Sequence, residues 1–173
     1  MLELLLKRKS IRSYTGDSIS KEELNILLKA ADASPVGMKQ YENLHLTIIT
    51  NKSLLEKIEA ITAKKFDRPN MHPLYGAPML ILISSKKMPM MENVMYSNAA
   101  IMAHNISLAA TELKIGSCYI WGAVAGMSND EEILKELNLP IDFIPCCAVS
   151  IGKTNETFEE KEIPNRIEKK YID

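Results

Sequence analysis

The sequence predicts an α+β domain, and three observations predict it. A helical repeat of apolar residues stands directly behind a helix-start signal at Ser20. Three short runs, 44–50, 79–83 and 143–151, have the composition of strands. These strands and helices are interspersed without a regular βαβ rhythm, which points away from a doubly wound sheet. At 173 residues the chain is read as a single domain over 1–173, with residues 152–173 as a polar C-terminal arm.

Each element follows from local chemistry. The first helix is expected over Leu2 to Arg8. Ser20 with Glu23 forms a capping box, in which each side chain satisfies a free backbone N–H of the other's residue. Leu24, Leu27, Leu28 and Ala31 then recur at helical spacing, and Ser34-Pro35 stops the helix because proline pushes its predecessor out of the helical region. Leu44 to Thr50 reads as a strand and Leu54 to Phe66 as a helix. Asp67 to Gly76 holds two prolines and reads as a loop. Met79 to Ile83 is continuously apolar, as expected of a strand buried on both faces. Asn93 to Lys114 is the longest helix. It is apolar nearly all round, so a partner subunit is one way to cover it. Gly116 is expected as its left-handed C′ residue. Ser128 with Glu131 is expected to be a second capping box opening a helix to Leu137. Phe143 to Ile151 is the last strand.

Composition narrows the function. There are 21 basic and 22 acidic residues, for a net charge of −1, so no global field gathers nucleic acid or an anionic membrane. None of the seven glycines forms a G-x-G pair, which removes the dinucleotide fingerprint. Gly152-Lys153-Thr154 resembles the end of a Walker loop, but Cys147 stands where that loop needs its glycine. Three cysteines without C-x-x-C give neither a zinc nor an iron–sulfur spacing. Their sparse, odd number, with no secretory signal, fits a reducing cytoplasm. The histidines have no metal-ligand spacing, and no stretch is apolar and long enough to span a bilayer.

Three segments could carry chemistry. Lys7-Arg8-Lys9-Ser10-Ile11-Arg12 places four cations and a hydroxyl within six residues, and alternation after the helix puts Arg8, Ser10 and Arg12 on one side. Arginine forks grip phosphate oxygens in pairs. A solvated helix end whose cations complement the dipole is the other reading. Ser34-Pro35-Val36-Gly37-Met38-Lys39 is a loop that allows close backbone approach to a flat ligand, or an ordinary turn. Gly116 to Ala123 combines the single Trp121 with two glycines, which suits a face covering a planar ring or a packed strand.

Together these segments resemble the nitroreductase family of FMN-dependent reductases along nearly the whole chain. Arg8-Lys9-Ser10-Ile11-Arg12 is similar to the family's R-R-S-[IV]-R. Ala33-Ser34-Pro35-Val36-Gly37-Met38 is similar to its A-P-S-G loop, and Tyr75-Gly76-Ala77-Pro78 to its strand-opening G-A-P. Leu108 to Ile120 resembles A-A-x-x-L-G-L-G-S-C-W-I, and Val149-Ser150-Ile151-Gly152 its closing strand. The resemblance implies a sandwich with a central, mainly antiparallel sheet flanked by helices. It also implies a homodimer with an extended C-terminal tail and FMN at the subunit interface. NADH or NADPH would reduce FMN, and a nitroaromatic, quinone or similar electron-poor small molecule would take the electrons in ping-pong fashion. The cofactor carries the chemistry, so no catalytic side chain is implied.

By the same resemblance, Arg8 and Ser10 hold the phosphate, with Lys9 assisting. Arg12 lies near the flavin N1/O2 edge. Pro35, Val36, Gly37, Met38 and Lys39, from the partner chain, line the ring and ribityl. Ile120, Trp121 and Gly122 cover its other side. Arg166 completes the phosphate site from the tail, and Asn70 matches a family asparagine. The chain departs from the family at Lys39, where an Asn is usual, and in lacking the Gln-Pro-Trp that follows. That departure motivates an alternative, a flavin-binding carrier or sensor without efficient turnover. The basic segment alone would also fit a small nucleotide-binding module.

Overall fold

A computed structural model describes residues 2–164 and 166–172. The helices are α1 (Leu2–Lys7), α2 (Lys21–Asp32), α3 (Lys52–Lys65), α4 (Glu92–Glu112), α5 (Gly122–Met127) and α6 (Glu131–Leu137). The strands are β1 (Leu44–Ile49), β2 (Met79–Lys86), β3 (Gly116–Ile120) and β4 (Phe143–Gly152). The four strands form one sheet in the order β1-β2-β4-β3, antiparallel at every pairing. An extra residue bulges the β2–β4 ladder near Ile83 and Ser84.

The two faces of the sheet bury two cores. Met79, Ile81, Ile83, Val149 and Ile151 pack with Leu27 and Ala31 of α2 and with Ala99, Ala103 and Ile106 of α4. Leu80, Leu82, Ile120 and Ala148 pack with Leu55 and Ile58 of α3, Val124 and Met127 of α5, and Ile133 of α6. The sheet is thus covered on both sides, which is why β2 reads as an uninterrupted apolar run.

The capping box of α2 forms as expected: Ser20 Oγ accepts from Glu23 N at 3.1 Å, and Glu23 accepts from Ser20 N at 2.8 Å. Two expectations about helix ends are corrected. The left-handed residue after α4 is Lys114 (φ +55), not Gly116. Lys114 N donates to Thr111 O and Ile115 N to Ala110 O, the paired bonds of a Schellman ending. Gly116 instead opens β3 opposite Gly152, where close approach excludes a side chain. A Cβ on Gly116 would lie 2.9 Å from the Tyr14 ring, and one on Gly152 2.6 Å from Pro78.

The second correction concerns Ser128 and Glu131, which form no capping box. Asp130 caps α6, accepting from Ile133 N at 2.9 Å, while the Ser128 hydroxyl donates to Val124 O at the end of α5. Helix α5 itself carries no sequence signal, because Gly122 and Gly126 are poor helix formers. Packing overrides propensity there: a Cβ on Gly126 would sit 2.5 Å from Thr62 Oγ1, so glycine lets α5 lie directly on α3.

Candidate functional site

The basic segment leaves α1 and runs past the start of β3, where Ile11 N donates to Ser117 O at 2.9 Å. It then passes the end of β4, where Tyr14 Oη meets Ser150 Oγ at 2.8 Å. This places the cations around one strand end. Arg8 lines a small cavity of about 220 Å³ with Ala100, Ala103, His104, Ser107, Ser117 and Tyr119. Arg12 lies against the ring of Tyr75, its guanidinium carbon 5.7 Å from the centroid. Ser10 lies near the Cys118 thiol, which itself donates to Tyr119 O at 3.6 Å. Burial pushes that thiol above its usual range, while the charges of Arg12 and Arg8 and the contact with Ser10 pull it back. Arg8, Ser10 and Arg12 therefore gather about Cys118, though Arg8 lies toward α4 and Arg12 toward Tyr75.

The tail brings further charge. Beyond Gly152 it docks beside the N-terminal segment: Thr154 Oγ1 donates to Ser13 O at 2.8 Å, Lys9 Nζ lies 2.9 Å from Glu156 Oε2, and Lys161 N donates to Leu6 O. Desolvation first, and then the charges of Arg8, Arg166 and Lys9, hold the Lys161 ammonium below the usual lysine range. Arg8, Lys9, Lys161 and Arg166 thus share one electrostatic neighbourhood. Lys161 is absent from the sequence-predicted set, since nothing local distinguishes it from the other charged residues of the tail. Arginine and lysine side chains that feel one another's charge, with Ser10 in the same segment, have the chemistry to hold a phosphate, and of the four Lys9 is paired with Glu156.

The loop from Pro35 to Lys39 is pinned by α4. Asn98 Oδ1 accepts from Gly37 N at 3.1 Å, Asn105 Nδ2 donates to Ser34 Oγ at 2.8 Å, and Tyr41 Oη donates to Ser34 O at 3.2 Å. At about 100° of turn per residue, Val94, Asn98 and Asn105 lie within about 40° of one another on α4. Of the residues lining the Arg8 cavity, Ala100, Ala103 and Ser107 lie on the opposite side of that helix and His104 on its flank. Within one chain, then, the loop and the basic segment do not meet. Val36 is buried, whereas Pro35, Met38 and Lys39 are exposed.

Met38 and Lys39 both occupy left-handed backbone, at φ +56 and +57. That conformation costs a side-chain-bearing residue about 1–2 kcal/mol, part of which glycine recovers. Lys39→Gly is therefore expected to raise stability by about 0.5–1 kcal/mol in urea unfolding. An unchanged or lower midpoint would mean that the lysine side chain makes compensating contacts.

Ile120 is buried in the core, so only its backbone is available to a ligand. Trp121, at the start of α5, is 61% exposed and tilts against Phe66 with ring centroids 6.1 Å apart. With Lys65, Phe66 and Tyr96 it borders an open groove of about 310 Å³. Gly122 lies over Met71, Phe66 and Thr62, and Asn70 is exposed in the following loop. A larger cleft of about 460 Å³, between Ser18, Thr50, Leu55 and Pro78, contains none of these residues.

A family model described as "Nitroreductase family" matches residues 5–153. The chain belongs to the nitroreductase family. A Methanothermobacter thermautotrophicus protein, provisionally named an NADH dehydrogenase/NAD(P)H nitroreductase, is 27% identical over 96% of this chain and 85% of its own length. The FMN reductase (NADPH) of Bacillus subtilis is 25% identical over 87% of this chain and 64% of its own. Among solved structures, the nitroreductase with bound FMN from Bacteroides fragilis superposes with a TM-score of 0.82. It has 25% identity, covering 99% of this chain and 98% of that one. A Desulfitobacterium hafniense nitroreductase shares the fold at a TM-score of 0.85 with 23% identity, over 99% and 97% of the two chains. The expected α+β sandwich with an antiparallel sheet is the fold of this family, and no helix among the described residues is long and apolar enough to cross a membrane.

Proposed function

We propose that this nitroreductase-family chain is an FMN-dependent oxidoreductase that uses NADH or NADPH to reduce nitroaromatic, quinone or similar electron-poor small molecules. When bound, FMN would supply the redox chemistry that links oxidation of the nicotinamide to reduction of a second substrate, in ping-pong fashion. The observation that supports this most is the match to the nitroreductase family over residues 5–153, with a fold shared with an FMN-bound relative over nearly the whole chain.

The protein's part is binding, orientation and electrostatics. Arg8 and Ser10 grip the phosphate, Lys9 assists, and Arg166 and Lys161 close over it from the tail. Arg12 brings a cation to the N1/O2 edge of the flavin and favours negative charge there. Trp121 and Gly122, with the backbone of Ile120, cover one side of the ring. Pro35, Val36, Gly37, Met38 and Lys39 line the other from a second copy of the chain. Their position on the far side of α4 from Arg8 supports a site shared between two copies. The exposed apolar side chains of Tyr96 and Ile101 on α4, and of Ile163, Ile167 and Tyr171 on the tail, fit the same homodimer. The chain acts as one domain; beyond Gly152 the tail follows its own N-terminal segment as far as Lys161, and the residues after it form the arm that reaches the mate.

The purified protein is expected to be yellow, with flavin absorption bands that bleach anaerobically on adding NADH or NADPH and return with a quinone. A colourless protein that takes up no added FMN overturns the proposal. Flavin that binds but is reduced by neither nicotinamide would leave a carrier or sensor, the alternative that the departure at Lys39 raises.

A further inference from the structure

We propose that Tyr75 is a positioning residue, which holds the Arg12 guanidinium in the orientation that sets the electrostatics of the flavin edge. The inference rests on the proposed placement of Arg12 at the flavin. It begins, however, from this chain's own geometry.

Tyr75 sits in left-handed backbone (φ +56), followed by Gly76, also left-handed (φ +76). A glycine at 76 accepts this at no steric cost, but a tyrosine at 75 does not. The conformation is fixed from both sides: Tyr75 N donates to His72 O and Ala77 N to Leu74 O, each at 3.0 Å, while Leu74 is buried as an anchor. The consequence of this turn is the placement of one side chain. The ring of Tyr75 comes to lie under Arg12, with the guanidinium carbon 5.7 Å from its centroid, although the two residues are 63 positions apart in sequence (75 minus 12). Strained backbone persists only where the surrounding structure holds it, and here what it holds in place is the ring against Arg12.

The contact suits its role. An aromatic face attracts a cation and restrains its plane without neutralising it, as a carboxylate would. A guanidinium is protonated throughout the working pH range, and the contact with Tyr75 raises its hold on the proton further, so the full positive charge is kept. Arg12 is exposed, and among the described residues it makes no ion pair with a carboxylate. Without the ring, a long side chain at that position would sample many rotamers.

Three variants test this: Tyr75→Leu, which keeps the same backbone demand, Tyr75→Phe, which keeps the ring, and Arg12→Leu. In the FMN-free protein, the Arg12 Nε–H is expected to give a resolved, protected NMR signal, assigned by its loss in Arg12→Leu. Its exchange should accelerate at least tenfold in Tyr75→Leu and remain near wild type in Tyr75→Phe. In the FMN-loaded protein, Tyr75→Leu should lower the affinity for reduced relative to oxidised FMN about tenfold. That is a midpoint potential about 30 mV more negative for the two-electron couple. Tyr75→Phe should fall between Tyr75→Leu and wild type. An Arg12 signal equally protected in Tyr75→Leu overturns the positioning role, as does a potential that moves in Arg12→Leu but not in Tyr75→Leu. A potential that moves in neither variant, with the NMR contrast intact, instead overturns the placement of Arg12 at the flavin.

Discussion

Arg8→Ala is expected to weaken FMN binding about 10- to 100-fold while leaving the fold intact. A hydrogen bond to a charged partner contributes about 1.5–3 kcal/mol, and 1.4 kcal/mol is a factor of ten in affinity. If the proposed site is right, Lys9, Lys161 and Arg166 still face the phosphate in the variant, so binding weakens rather than vanishes. Arg8→Lys should recover only part of the loss, because an ammonium restores the charge but not the two-pronged grip. The fold is spared because the Arg8 side chain lines a cavity at the edge of α4 and belongs to neither core. Fluorescence titration of the apoprotein with FMN, alongside circular dichroism, measures both effects. An unchanged dissociation constant would mean that the basic segment is only a solvated helix end. The salt dependence is a second check, since a site built from four clustered cations should lose affinity steeply with ionic strength.

How much of this site is legible in the sequence depends on chain distance. Arg8, Ser10 and Arg12 are contiguous, so their chemistry shows as a local run. Lys161 and Tyr75 join them only through the path of the chain. The tail returns along the N-terminal segment, and a strained turn before β2 swings one ring under Arg12. Asn98 and Asn105 are likewise invisible as partners of the 34–37 loop. They look like ordinary polar positions until helical geometry puts them, seven residues apart, on one side of α4.

The fold shows the same division. Helix α2 is bounded by local chemistry, a capping box at one end and Ser34-Pro35 beyond the other, and its extent follows. Strand β2 is legible because burial on both faces leaves a continuous apolar run. Helix α5 is not, since its two glycines argue against a helix and the reason for Gly126 lies in α3. The end of α4 is obscured in the sequence because a lysine occupies the left-handed position where a glycine is the usual signal. Where a conformation is set by contacts from elsewhere in the chain, propensity is a poor guide.

The other large effect is expected at Ile81, where alanine should cost about 2–5 kcal/mol of stability. Ile81 is fully buried at the centre of β2, opposite Ile48 on one neighbouring strand and Val149 on the other. Its side chain faces the core shared with α2 and α4, so truncation opens a cavity walled by the sheet and two helices that cannot both move inward. Removing only one methylene, in Ile81→Val, should cost about 0.5–1.5 kcal/mol. A domain stable by about 5–15 kcal/mol survives the alanine variant, but with a large fraction of its margin gone. Chemical unfolding at fixed FMN saturation measures the difference, the saturation being held constant because bound ligand adds its own stabilisation. Equal midpoints for Ile81→Ala and Ile81→Val would mean that the core collapses to fill the space. The effect should also reach the site. Strand β2 begins just after the Tyr75 turn and pairs with β4, which leads into the tail that bears Lys161 and Arg166, so loosening this strand weakens the frame that carries Tyr75, Lys161 and Arg166 to the basic segment.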